Sequence, residues 1–275
     1  MHPESLLLEL AEQARRLRCL ALEAISRAGS GHPGGCLSAA EILAALYFHH
    51  LRLDPREPNW PERDRFILSK GHAAPLLYAA LALRGFFPLE ELWTLRQLGS
   101  RLQGHPDRLK VPGVEMTSGS LGHGLPVGTG LALAARLSGA RYRTYVLLGD
   151  GELQAGLVWE AALIAAKYRL SNLVAIVDNN GVQLDGPVHE ILPIEPLAEK
   201  WRSFGWAVQE VDGHNIRELL DALDLAANIH ERPAVIIAHT IKGKGCSFME
   251  GQAAWHGRAP TPQELACALA ELGHG

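Results

Sequence analysis

Two apolar runs joined through one amphipathic helix constrain this chain more than any other feature. Thr144 to Leu148 (TYVLL) and Leu173 to Val177 (LVAIV) read as buried strands. Between them, Gly156 to Tyr168 sets Leu157, Ala161, Ile164 and Ala165 on one helical face. Gly149-Asp150-Gly151 follows the first strand and Asp178-Asn179-Asn180 the second. A helical crossover makes the strands parallel. Both polar clusters then lie at the C-terminal strand ends, the edge at which open α/β sheets bind ligands.

The residue types indicate the chemistry. Glycines allow close approach of backbone to a phosphate. Asp150 and Asn180 offer hard oxygen ligands suited to Mg²⁺ or Ca²⁺. The helix start that follows offers free N–H groups to an anion. One aspartate is too little charge to hold Mg²⁺ alone, so a diphosphate is expected to complete the site.

The wider pattern predicts one parallel, doubly wound α/β domain with helices on both faces, spanning 1–275. Helices are expected over 4–28, 38–50, 72–84, 88–98, 122–138, 156–168, 215–229 and 262–272. Strands are expected over 65–68, 143–148, 173–178, 206–211 and 234–239. Ser38 with Glu41 reads as a capping box. The long Gly-, Pro- and His-rich loops 29–37, 99–121 and 240–261 are candidates for function. Net charge is −4 with both signs interspersed, which points away from nucleic acid and membrane surfaces. Cys19, Cys36, Cys246 and Cys267 have no metal-site or disulfide-framework spacing. No run reaches the ~18 apolar residues of a membrane span, and a cytosolic protein is expected.

Five histidines stand in glycine turns: His32, His72, His105, His123 and His256. None has the H-x₃-H spacing of a zinc site. His49, His50, His189, His230 and His239 read as ordinary surface residues.

In order along the chain, SGHPGG (30–35), SKGHA (69–73), GHP (104–106), TSGSLGHGLPVGTGLALA (117–134), GDGELQAG (149–156), VDNNG (177–181) and KGKG with WHGRAP resemble a transketolase. The GDG and NN elements, 27 residues apart (152 to 178), match the thiamine-diphosphate motif of that family. The resemblance implies the diphosphate-binding (PP) domain and covers nearly the whole chain. On this resemblance the chain is expected to lack the pyrimidine-binding and C-terminal domains, and so looks like the N-terminal subunit of a split transketolase. The resemblance assigns the metal to Asp150, Asn180 and the Val182 carbonyl. It assigns the cofactor to His72, Gly119, Ser120, Leu121, Gly149, Asp150, Gly151 and Asn180. His32, His105 and, on a looser local match, His256 are implied at the sugar.

The implied reaction moves a two-carbon ketol unit from a ketose, or its phosphate, to an aldose. Histidines of ordinary pKa suit the proton transfers. A partner chain is implied to carry the pyrimidine-binding domain and its glutamate, in an α₂β₂ assembly, with loops 29–37 and 117–124 at the partner surface. The alternatives are another two-component thiamine-diphosphate enzyme, acting on a specialised ketose or a 2-oxo acid, and a non-catalytic module of the same fold. Two positions depart from the family pattern. Ala155 stands where glutamate is common, and Glu152 is a poor substitute because it faces elsewhere on the turn. His123 stands where glutamine is common.

Overall fold

The computed structural model describes residues 2–273. Five strands, β1 (Arg65–Leu68), β2 (Thr144–Gly149), β3 (Leu173–Asn179), β4 (Ala207–Asp212) and β5 (Ala234–His239), form one sheet in the order β1-β2-β3-β5-β4. Every pairing is parallel. β2 and β3 pair in register from Thr144 with Leu173 to Gly149 with Asp178, so both polar clusters leave the sheet side by side.

Alternation along the strands splits the core in two. Tyr145, Leu147, Val174, Ile176 and Ile236 pack on one face against α1 (Glu4–Ala28), α3 (Ala40–Ala45), α4 (Ala74–Leu83) and α9 (Ile216–Ala227). Val146, Leu148, Ala175, Val177, Val235 and Ile237 pack on the other against α5 (Gly124–Ser138), α6 (Gly156–Lys167) and α8 (Leu197–Ser203). Both faces are covered, which is why the central strands are apolar throughout rather than alternating with polar residues. The expected fold class holds, and all five strands lie within a residue of their expected ends.

Some local expectations are corrected. The segment 38–50 is not one helix: α2 (Pro33–Ser38) precedes α3, and a π-helical turn, Leu46–His50, follows it. Pro33 at the first helical position starts the helix early. Ser38 caps nothing, because its hydroxyl donates to Asp178 Oδ2 at 2.6 Å. Glu41 instead pairs with Arg18 and His214. A capping box does form at Thr261 and Glu264, opening α10 (Pro262–Glu271). The stretch 88–98 is a short 3₁₀ segment, Leu89–Thr94, and α7 (Val188–Ile191) and α8 were not expected. Residues 33–37 are buried within this chain, so that part of loop 29–37 does not face a partner. Gly119, Ser120, Leu121 and His123 are exposed.

Candidate cofactor site at the C-terminal strand ends

Four strands each deliver residues to one edge. β1 leads into Ser69, Lys70 and His72; β2 into Asp150 and Gly151; β3 into Asn180 and Val182; β5 into Thr240 and Lys242. Lys70, His72, Leu121, Gly149, Asp150, Gly151, Asn180, Val182, Lys242 and His256 line one cavity of about 160 Å³.

Behind two of its lining residues, Lys70 and Asn180, lies Asp178, fully buried. Its carboxylate accepts from Lys70 Nζ, from the Thr240 hydroxyl, from Ser38 at 2.6 Å and from Asn180 Nδ2 at 3.2 Å. Burial alone would raise its pKa, but the Lys70 ammonium and these donors outweigh it and hold the group below the usual carboxylate range. Lys70 also donates to the Gly35 carbonyl at 2.8 Å. The pair thereby ties β1, α2, β3 and β5 together behind the cavity.

In the lining itself the oxygen donors converge. Asp150 accepts from the backbone N–H of Gly151 at 2.7 Å and of Gly181 at 2.5 Å. Asn180 Oδ1 accepts from Val182 N–H at 3.1 Å. The Val182 carbonyl accepts from Lys242 Nζ at 2.8 Å, and the same ammonium lies 2.9 Å from His256 Nδ1. Burial, then the charge of Asp178, pushes Asp150 up to about 6, so this carboxylate lacks a full counter-charge. Burial and Lys70 push Lys242 down to about 8. The donor set fits a hard divalent cation: one under-compensated carboxylate, one amide oxygen, and one carbonyl already holding a cationic side chain. Lys70, Lys242 and His72 around the same cavity fit an anion beside that cation.

Three histidines gather at the mouth. The rings of His32 and His72 lie 5.2 Å apart, His32 and His256 5.5 Å, and His72 and His256 5.0 Å. Burial is the first cause in pushing His32 to about 4, with Arg96 second, and His256 to about 3, with Lys242 second; His72 is driven well down, by burial and then Lys70. These rings are therefore neutral at neutral pH, not poised half-protonated as their ordinary pKa implies. His32 Nδ1 is buried without a hydrogen-bond partner among the described residues.

His105, Gly119 and Ser120 stand outside the cavity lining. His105 is exposed, and its ring lies against Gly119, where a side chain would press on it at 3.3 Å. Arg96, beside His32 and His105, adopts φ 60° and donates to Ser30 at 2.8 Å. Of the family departures, Ala155 leaves room for Gly122, whose missing Cβ would lie 2.8 Å from its methyl group. Glu152 is buried and accepts from Ser69, from Gly122 N–H at 2.7 Å and from Gly149 N–H at 3.1 Å. It faces the 119–124 loop and clamps that loop to the GDG turn. The SKGH and KGKG motifs contain Lys70 and Lys242 and the strand-end cluster contains Asp178, but nothing local in the sequence assigns these three a role.

Fold and edge together define a parallel α/β domain with a polar cavity at the C-terminal ends of its strands. Residues 10–275 match the family described as transketolase, thiamine diphosphate binding domain. The chain is 48% identical over 265 residues to the 6-deoxy-6-sulfo-D-fructose transketolase subunit of Clostridium sp. (strain MSTE9), covering 96% of each. It is likewise 48% identical to an apulose-4-phosphate transketolase subunit of Actinobacillus succinogenes, covering 96% of this chain and 95% of that one. The structure matches that of a Pichia stipitis transketolase in complex with sedoheptulose 7-phosphate, with a TM-score of 0.92 and 35% identity. That match covers 96% of this chain and 40% of the Pichia chain, so this chain spans less than half the length of that solved relative. The chain belongs to the transketolase family, as its thiamine diphosphate-binding domain. Among the described residues no helix is long and apolar enough to cross a membrane.

Proposed function

We propose that this chain is the N-terminal subunit of a two-component transketolase that uses thiamine diphosphate and Mg²⁺ to move a two-carbon ketol unit between sugars or sugar phosphates. One observation carries the reading. Asp150, Asn180 and the Val182 carbonyl line the same cavity as His72, Lys242 and His256.

When bound, the thiamine cofactor supplies the electron sink that a ketol transfer requires. The chain's own residues do the rest. Asp150, Asn180 and the Val182 carbonyl hold the cation. Lys242 and His72 face the diphosphate oxygens. Gly119, Ser120 and Leu121 stand on the exposed loop that would meet the cofactor rings. The neutral rings of His32 and His256, with His105 on the adjoining loop, donate to or accept from sugar hydroxyl and carbonyl oxygens. A charged ring there could only donate, and would have to shed its proton before accepting.

The cavity of about 160 Å³ supports a shared site. Pockets that enclose an organic ligand run from roughly 300 Å³ upward, so this edge covers one end of the cofactor and leaves the other open. A partner carrying the pyrimidine-binding domain and its glutamate completes the site, in an α₂β₂ assembly in the cytosol. The relatives named as subunits of sugar-specific transketolases favour this over a 2-oxo-acid enzyme.

The test assays ketol transfer from a panel of ketoses to aldoses, with thiamine diphosphate and Mg²⁺, with and without the partner subunit. No turnover by the chain alone and turnover on mixing is the expected result. Full-rate transfer by the isolated chain overturns the two-component reading.

A further inference from the structure

A second concentration of charge lies at the opposite edge of the sheet. Just before β2, just before β3 and between α9 and β5, the N-terminal strand ends enclose a depression of about 550 Å³. Its walls include Arg136, Arg141, Arg143, Arg169, His230 and one carboxylate, Glu231. We propose that this depression is a binding site for a phosphorylated small molecule carrying two or more negative charges. The proposal is independent of the reading of the cofactor edge.

Four observations carry it. The first is charge imbalance: four guanidiniums and one carboxylate line the depression, while outside that lining the Glu62 and Asp64 carboxylates accept from the backbone N–H groups of Arg141 at 2.8 Å and Arg143 at 2.9 Å. Secondly, two of the four are already aimed. Arg136 donates to the Tyr168 carbonyl, while Arg143 donates to the Ser171 carbonyl at 3.1 Å and to that of Ala227. A guanidinium has five N–H donors, so both keep others for a ligand. Thirdly, the side chains of Arg141 and Arg169 have no hydrogen-bond or ion-pair partner among the described residues.

The fourth observation is a backbone anomaly. Helix α6 ends by turning into the left-handed region at Arg169, φ 49°. The N–H of Arg169 bonds the Ala166 carbonyl at 2.9 Å, and that of Leu170 bonds the Ala165 carbonyl at 3.1 Å. Glycine is the usual residue at such a helix end, because it alone adopts the conformation without steric cost. An arginine held there against that cost, with its guanidinium unspent, is placed for what the guanidinium binds. Converging, partly fixed guanidiniums match the oxygens of phosphate in geometry as well as charge.

The experiment titrates the full chain calorimetrically with inorganic pyrophosphate in EDTA, which removes the metal that the cofactor edge needs. Wild type is expected to bind with a Kd below about 1 mM. Arg141→Ala and Arg169→Gly together are expected to weaken binding at least tenfold. Arg169→Gly relieves the backbone, so its melting temperature is expected to be no lower than that of wild type. Should it fall, Arg141→Ala alone, expected to weaken binding severalfold, decides the matter. Absence of metal-free binding in wild type, or binding kept in the arginine variants, overturns the proposal.

Discussion

The two edges of one sheet handle charge in opposite ways. At the C-terminal edge, Lys70, Asp178, Asp150, Glu152 and Lys242 are all at most 3% exposed, and each is locked to named partners. At the N-terminal edge the arginines are open to solvent or half-buried, with spare donors. Buried charge must be matched within the fold, so it is fixed in place and shifts its neighbours' protonation. Open charge is screened by water and costs little to leave unmatched. The first edge therefore determines stability and protonation together, and the second can vary without disturbing the fold.

Truncating a charge at each edge tests that contrast most severely. Lys70→Ala leaves Asp178 ionised and without its ammonium in a dry site, a loss of about 3–5 kcal/mol. Arg141→Ala at the other edge is expected to stay within about 0.5 kcal/mol of wild type. Chemical denaturation of the two variants measures both, and equal losses would break the comparison.

Asp150→Ala separates binding from folding within the buried edge. It removes the one charged oxygen facing the cation, so magnesium-dependent affinity for thiamine diphosphate is expected to fall at least a hundredfold, about 2.7 kcal/mol. The melting temperature of the metal-free protein is expected to hold or rise, because an under-compensated buried carboxylate is gone. Calorimetry with and without magnesium reads the first effect, and unchanged affinity would sink the assignment of the cation ligands.

The smallest expected effect comes from pH. Asp150 must be ionised to hold a cation, and its pKa lies at about 6. Protons compete with the metal below that value, so magnesium-dependent cofactor affinity is expected to drop about tenfold per pH unit under pH 6 and to flatten above it. An ordinary aspartate would delay the drop to about pH 4. Affinities measured from pH 7 to pH 5 distinguish the two.

Much of this was legible in the sequence. Apolar runs of five residues capped by glycine and acid marked β2 and β3, because parallel strands covered on both faces need no polar alternation. The GDG and NN clusters fell beside each other because the strand register put them there. What could not be read depends on distance along the chain. Lys70 and Asp178 stand 108 residues apart, and no periodicity reports such a pair. Ser38 looked like a cap because local spacing cannot reveal that a remote carboxylate claims its hydroxyl. The histidines were visible, but their depressed pKa values arise from burial and from Lys70, Lys242 and Arg96, which only the fold brings near. The arginine depression draws on three separate segments, none of them a motif.

The cofactor edge also has a history within each molecule's own synthesis. Its parts are dealt out from His32, before the first strand, to His256, after the last. A nascent chain emerges N-terminus first and holds β2 and its GDG turn long before β5 and Lys242 exist. No early fragment can recruit the ligand to help it fold, since four strand ends must be adjacent before the cavity is lined. On the proposed function, a chain that holds the cofactor has been translated as far as Lys242 and has set its strand ends in the right order.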